Sequence, residues 1–287
     1  MNDEYRFLAV DVDGTLLNSR NQLPAANREA LHRAHGAGMK VCLCTGRSVA
    51  EARSVIDQLS LDSDAGVFVF GAIVSRLPAG DTLHRTTIPE PTTTRLVSYF
   101  RSRAYPVLVL YDVVQTGVDY RFVPGERNPE VFEQWLAMAP ARVERIDDWH
   151  PGSHDPVRVT IIIAPEHISD TMASLQREFP PDEVKVNPIF APNYGLHVVE
   201  CFAPDVSKWH GITQLAGPMG IAGSEIVAIG DDINDLEMIR GAGLGIAMGN
   251  AIEPIKEAAS WQAPTHDACG VAAAIDALLA GDLSYRR

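Results

Sequence analysis

Three apolar runs in this 287-residue chain each end in residues that can do chemistry. The run at 7–12 leads into Asp11 and Asp13, the run at 41–44 into Thr45-Gly46-Arg47, and the run at 225–229 into Asp231, Asp232 and Asp235. All three are of strand length and apolar enough to be buried. In an open α/β sheet, ligands bind outside the carboxyl ends of the strands, so three such tips converge on one place. Asp11 and Asp13 flank a single residue, so side chain and backbone at one tip present several oxygens to one hard cation. Asp231 adds a further carboxylate. The set suits magnesium, with water or substrate phosphate completing an octahedron. Without a cation, carboxylates gathered in this way repel one another.

Positioning the tips requires parallel strands joined by helices. The pattern predicts a helix over 24–37, stopped by Gly36 and Gly38, a second helix running to Leu59, and a third strand over 66–70. Strand, helix, strand, helix, strand implies a parallel sheet wound with right-handed crossovers. The pattern then changes. Helices over 91–103, 128–138 and 165–179 alternate with strands over 107–111, 119–123, 157–164 and 184–187. This stretch is α+β in character and is flanked by Pro78, Pro89, Pro91, Pro188 and Pro192, so it reads as a domain inserted into the first. The α/β pattern resumes with a strand over 196–201 and a helix over 207–219. Strands over 225–229 and 244–248 and helices over 234–241, 251–259 and 269–280 complete it. The expected organisation is a core domain of 1–82 with 195–287 and an inserted domain of 83–194.

Hydrophobic residues at 46% and charged residues at 21% describe a globular chain rather than a disordered or fibrous one. Lys and Arg number 24 against 37 Asp and Glu, a net charge of −13 that provides no footprint for nucleic acid or an anionic membrane. An anion must therefore be bound locally, by a few placed cations, helix N-termini or a metal. No apolar run approaches the ~18 residues of a spanning helix. The opening MNDEYRFLAVDVDG lacks a cationic segment before a long apolar stretch, which argues against a signal peptide. Four cysteines are too few for a disulfide framework, and Cys42 and Cys44 share one strand face as buried thiols. A cytoplasmic location is the expectation.

In chain order, DVDGTL at 11–16, Thr45-Gly46-Arg47, Lys208 after Val206-Ser207, and GDDIND at 230–235 resemble the four motifs of the haloacid dehalogenase superfamily. The longer GDDINDLEM at 230–238 is similar to the Cof-type phosphatases, whose cap is inserted between the second and third motifs. The resemblance implies a Rossmann-like α/β core with an inserted α+β cap that selects substrate. It also implies roles. Asp11 is the nucleophile that forms an aspartyl-phosphate, and a carboxylate suffices once cations have neutralised the phosphoryl charge. Asp13 is the general acid–base, and its backbone carbonyl binds magnesium. Asp231 ligates the metal directly, and Asp235 supports the metal shell and Lys208. The backbone at Val12, the Thr45 hydroxyl, the Gly46 amide, Lys208 and Asn234 hold the phosphoryl group. Arg47 contacts substrate or pairs with an acid.

Two departures stand out. Cof-type proteins usually end the third strand in Asn-Gly-Ala, where this chain has Phe70-Gly71-Ala72, and their Lys-Gly is Lys208-Trp209 here. Phe70 removes a polar group near the cap hinge; Trp209 packs in the core, or else narrows the pocket or stacks on a ligand. His32, His35, His150 and His154 fall outside the motifs and read as surface or structural residues.

The function expected is magnesium-dependent hydrolysis of a small phosphomonoester, a sugar phosphate or similar metabolite, with neither nucleic acid nor membrane as partner. One alternative is a phosphomutase, which passes the phosphoryl group to a second hydroxyl. Another is a phospho-accepting signalling or binding module. The length of the chain and the presence of Asp13 argue against that last reading.

Overall fold

A computed structural model describes residues 5–61, 65–127, 129–138, 141–191 and 195–282. It divides into two compact units, 1–84 with 207–287 and 85–206. The expected helix start at Asn128, Pro192 and the expected end of the insert at 193–194 lie outside the described residues.

The first unit is built on an eight-stranded sheet. In spatial order its strands are Trp261–Gln262, Leu244–Ala247, Ile226–Gly230, Phe7–Asp11, Lys40–Cys44, Ala65–Phe68, Ile73–Arg76 and Thr82–Arg85. From Trp261–Gln262 to Ala65–Phe68 every pairing is parallel, and the helices Ala25–Gly36, Val49–Leu59, Lys208–Ala216 and Gly270–Ala280 belong to the same unit. Ala65–Phe68 and Ile73–Arg76 pair antiparallel, a hairpin that the period-based reading does not contain. Phe7, Leu8, Ala9 and Val10 are fully buried, as a parallel strand covered on both faces must be.

Register aligns the tips. Val10 sits between Leu43 and Ile229, and Asp11 lies opposite Cys44, so Asp11, Thr45 and Asp231 emerge at the same edge. Ser48 and Glu51 form a reciprocal capping box that starts the helix Val49–Leu59 just after Arg47 and fixes where the loop 45–47 ends.

The second unit holds a six-stranded sheet in the order Lys185–Ala191, Leu196–Phe202, Arg158–Ile162, Val107–Leu110, Tyr120–Val123 and Val143–Arg145. One face packs Val107, Val109, Val159, Ile161, Val199 and Cys201 with Leu96, Val97 and Phe100 of the helix Glu90–Arg101 and with Leu175 of the helix Ile168–Glu178. Here a boundary moves. Leu196–Phe202, expected to open the returning core, pairs antiparallel with Lys185–Ala191 and with Arg158–Ile162. Apolar alternation marks a strand but not its sheet, and a partner only a few residues upstream closes the smaller loop.

Among the described residues no helix is long and apolar enough to cross a membrane. Cys42 and Cys44 are buried free thiols with Sγ atoms 3.8 Å apart, and burial pushes the Cys44 thiol well up.

Candidate active site

Asp11 ends its strand, and the chain turns at once into the short helical segment Val12–Leu16. Gly14 makes that turn possible with φ +76, and a Cβ there would stand 2.3 Å from Oδ2 of Asp231. The first and third tips therefore meet at this point.

Lys208 opens the helix Lys208–Ala216, whose N-cap Ser207 accepts from the His210 amide at 3.1 Å. Gly71, with φ +105, lets the turn after the third strand press against that cap: a Cβ would fall 1.9 Å from the Ser207 carbonyl oxygen. So anchored, Lys208 donates to Oδ1 of Asp11 and to Oδ1 of Asp235, each at 2.6 Å. The Lys208 side chain is 1% exposed. Burial works against its charge, and the Asp11 and Asp235 carboxylates more than reverse that, holding the proton above its ordinary range.

The remaining oxygen of Asp235 accepts from the Asp231 and Asp232 amides at 2.9 and 3.1 Å. Both oxygens of Asp235 are thus engaged, one with the lysine and one with the backbone of the 231–232 tip. Asp231 is less enclosed. Its Oδ1 accepts from the Thr15 hydroxyl at 2.8 Å, and its Oδ2 from the Asn250 amide at 3.3 Å. Burial and the neighbouring Asp235 raise the Asp231 carboxyl to about 6, against the pull of the Thr15 hydrogen bond. Asp11 is raised well above its usual value, by burial first, with Lys208 opposing and Asp235, Asp231 and Asp13 adding to the rise.

One carboxylate oxygen each from Asp11, Asp231 and Asp235 lie within 4.8 Å of one another. Counting Asp13, four carboxylates gather around two cations, Lys208 and Arg47. The carboxylates outnumber these cations, and an all-oxygen donor set is what magnesium takes. The residues present fit that ion.

The other predicted residues fall at the same edge. Thr45 is fully buried, and its hydroxyl accepts from the Arg47 amide at 3.1 Å. Asn234 keeps a buried carboxamide oxygen with no hydrogen-bond partner among the described residues. Arg47 resolves in favour of an acid: its guanidinium grips both oxygens of Asp13, with Nε at 2.9 Å from Oδ2.

Trp209 resolves as packing. A Cβ on Gly241 would meet its indole at 2.3 Å, and one on Gly223 at 3.4 Å, so the ring lies against glycine backbone. Phe70 takes φ +56 and ψ +21, a region that asparagine enters readily and a bulky aromatic does not. That preference gives a physical reason for Asn at this position in the related pattern. The Phe70 ring covers Gly46, where a Cβ would stand 2.3 Å from its Cζ. His32 lies away from this edge, with Nε2 2.8 Å from the Leu59 carbonyl oxygen.

Sequence reasoning overlooks two residues here, Thr15 and Asn250. Thr15 lies inside DVDGTL but carries no chemistry of its own. Asn250 follows the parallel strand Leu244–Ala247 closely, and that position at a fourth strand tip is the signal that marks it.

The chain matches the family model of haloacid dehalogenase-like hydrolases over residues 8–275. It is 30% identical over 279 residues to YxeH of Bacillus subtilis (strain 168), covering 96% of this chain and 98% of that protein. It is 28% identical over 298 residues to the 5-amino-6-(5-phospho-D-ribitylamino)uracil phosphatase YwtE of the same organism, over 96% and 98% of the two chains. The crystal structure of a haloacid dehalogenase-like hydrolase from Bacteroides thetaiotaomicron shares the fold, with a TM-score of 0.78 at 23% identity over 96% of this chain and 99% of that one. A match that runs from the first strand into the last helix is more than one shared motif: this chain belongs to the haloacid dehalogenase-like hydrolases, as a phosphatase of their cap-bearing Cof-type branch.

Proposed function

We propose that this phosphatase hydrolyses a phosphorylated sugar or polyol with the help of magnesium, through an aspartyl-phosphate on Asp11. The observation that carries the reading is the excess of carboxylates around Lys208 at the sheet edge. Such a cluster repels itself when alone and is relieved by a divalent cation, which with Lys208 then offers positive charge to an anionic phosphoryl group.

In this reading Asp11, the Asp13 carbonyl and Asp231 hold the ion, which supplies positive charge for the phosphoryl oxygens. Asp235 has both oxygens engaged elsewhere and acts from behind, keeping Lys208 charged and the 231–232 backbone in place. Lys208, the Thr45 hydroxyl, the amides of Val12 and Gly46, and Asn234 grip the phosphoryl oxygens. An Asp11 oxygen attacks phosphorus, the bond to the leaving oxygen breaks, and Asp13 gives that oxygen its proton. Water then attacks the aspartyl-phosphate, Asp13 takes the water's proton, and inorganic phosphate leaves with Asp11 restored. Arg47 occupies both oxygens of Asp13, so in this reading that pair opens as Asp13 turns to the leaving oxygen.

The inserted unit, in this reading, recognises the leaving group. A phosphate on a polyhydroxylated chain is the class to test first, because the relative YwtE bears the name of a phosphatase for a phosphoribityl compound. The test is phosphate release from a panel of phosphorylated sugars and polyols, with magnesium and after exhaustive chelation. Release that stops on chelation and returns with magnesium is expected. Full turnover without a divalent ion overturns the metal reading. Transfer of the phosphoryl group to a second hydroxyl without release overturns hydrolysis.

A further inference from the structure

Asn250 belongs to none of the motifs above, yet three segments of the site meet on its side chain. We propose that Asn250 is a positioning residue for the divalent cation, holding the loop of Asp13 and Gly14 at a set distance and angle from the Asp231 carboxylate. The inference rests on the magnesium reading of the site.

The carboxamide has two N–H bonds and one strong acceptor, and all three have partners. Nδ2 donates to the Gly14 carbonyl oxygen at 2.8 Å and to Oδ2 of Asp231 at 3.3 Å. Oδ1 accepts from the His266 amide at 2.9 Å. The first contact fixes the loop that follows Asp13, the second fixes a metal-site carboxylate, and the third prevents the amide from flipping.

Thr15 completes the arrangement from the other side, donating to Oδ1 of Asp231. Each oxygen of Asp231 thus has one protein donor, which sets the plane of the carboxylate and leaves a lone pair on each oxygen for a cation. The segment that carries Asn250 is itself tied to the Asp231 tip. The Met248 amide donates to Gly230 and the Ile252 amide to Asp231, each at 3.0 Å. Gly14 also lies close against Asp231, where a Cβ would stand 2.3 Å from Oδ2.

Asparagine suits this role by its chemistry. Aspartate at neutral pH has no donor for the Gly14 carbonyl or the Asp231 carboxylate, and serine has one where two are needed. Magnesium demands near-ideal octahedral geometry, so a small displacement between donors on two loops weakens it. Partners that orient metal ligands from outside the first shell typically change affinity about 10–100-fold when removed.

The experiment is calorimetric titration of the full chain with magnesium alone, wild type against Asn250→Ala, together with metal-free melting and the magnesium dependence of turnover. The dissociation constant for magnesium should rise ~10–100-fold in the variant. The magnesium needed for half-maximal turnover should rise by a similar factor, with turnover recovering as the ion is raised. Metal-free melting should stay near that of the wild type. An equal magnesium affinity in the two proteins overturns the role, as does a lowered melting temperature with unchanged affinity, the mark of a merely structural residue. Should the alanine variant fail to fold, Asn250→Ser undergoes the same titration and is judged by the same outcomes. A wild type that binds no magnesium overturns the underlying metal reading, a result distinct from equal binding by both proteins.

Discussion

Lys208 in the core unit and Arg158 in the inserted unit are both buried cations paired with buried carboxylates, yet the two surroundings differ in kind. Arg158 opens its strand, bonded to Glu200 at 2.7 Å and to the Tyr120 hydroxyl at 2.9 Å, with both charged side chains 7% exposed. Glu200 lies opposite Thr160 on the next strand, on the face away from Val159, Ile161 and Val199. Among the described residues this is an ion pair of a cation with an anion. Lys208 instead meets Asp11 and Asp235 at once, with Asp231 close by, and all of this lies at the tip of a parallel sheet. A matched pair costs desolvation and returns most of it as Coulomb energy and hydrogen bonds. An unmatched cluster is held by the fold against its own repulsion, which makes it a place for a further cation and for chemistry.

The largest effect that sharpens this contrast is Asp11→Asn. Turnover should fall roughly 10⁴-fold or more, as when a nucleophile is removed from a concerted group. Melting should hold or improve, because one of the repelling carboxylates loses its charge. A folded variant with wild-type turnover would break the contrast at its functional end.

Asp13→Asn comes next, with a loss of about 10²–10⁴-fold, because the leaving oxygen lacks its proton donor and water its base. The first step should suffer less with aryl phosphates, whose leaving groups need little protonation, and a burst of leaving group should precede slow turnover. Magnesium titration should show affinity largely retained, since the backbone carbonyl remains. Rescue of this variant by excess magnesium would move Asp13 into the role of a side-chain metal ligand.

On the other side of the comparison, Glu200→Ala leaves Arg158 buried beside a missing anion and should cost about 3–5 kcal/mol of stability. Chemical denaturation measures it. A loss under about 1 kcal/mol would mean that the pair is solvated and worth no more than a surface contact. The smallest effect belongs to the double change Arg158→Met with Glu200→Leu. Removing both charges together should leave stability within about 1 kcal/mol of the wild type or raise it. No such exchange is open to Lys208 and Asp11, because in the proposed mechanism their charges carry the reaction.

Much of the core was legible because its chemistry is local. Asp11 and Asp13 are two residues apart, Asp231 and Asp235 share one short turn, and each set directly follows an apolar strand. Burial of parallel strands on both faces makes their runs continuous and easy to see, and ligand groups at their carboxyl ends follow from the winding. The inserted unit was legible as α+β, but its boundary was not. The run at 196–202 has the same apolar character in either sheet, and only backbone pairing with Lys185–Ala191 assigns it. Short edge strands such as Val143–Arg145 and Trp261–Gln262 have too few residues to show a period.

The residue types and their spacing by themselves determined the three polar strand tips, the class of cation proposed for them and the winding of the core. Those properties arise within a few consecutive residues, where side-chain chemistry and strand alternation act without help from the rest of the chain. Tertiary structure alone decided that Arg47 grips Asp13, that Trp209 lies on glycine backbone, and that Asn250 braces two loops from 236 and 19 residues away. These outcomes depend on strand register and on distances of a few tenths of an ångström between segments remote in sequence, and no local periodicity encodes them.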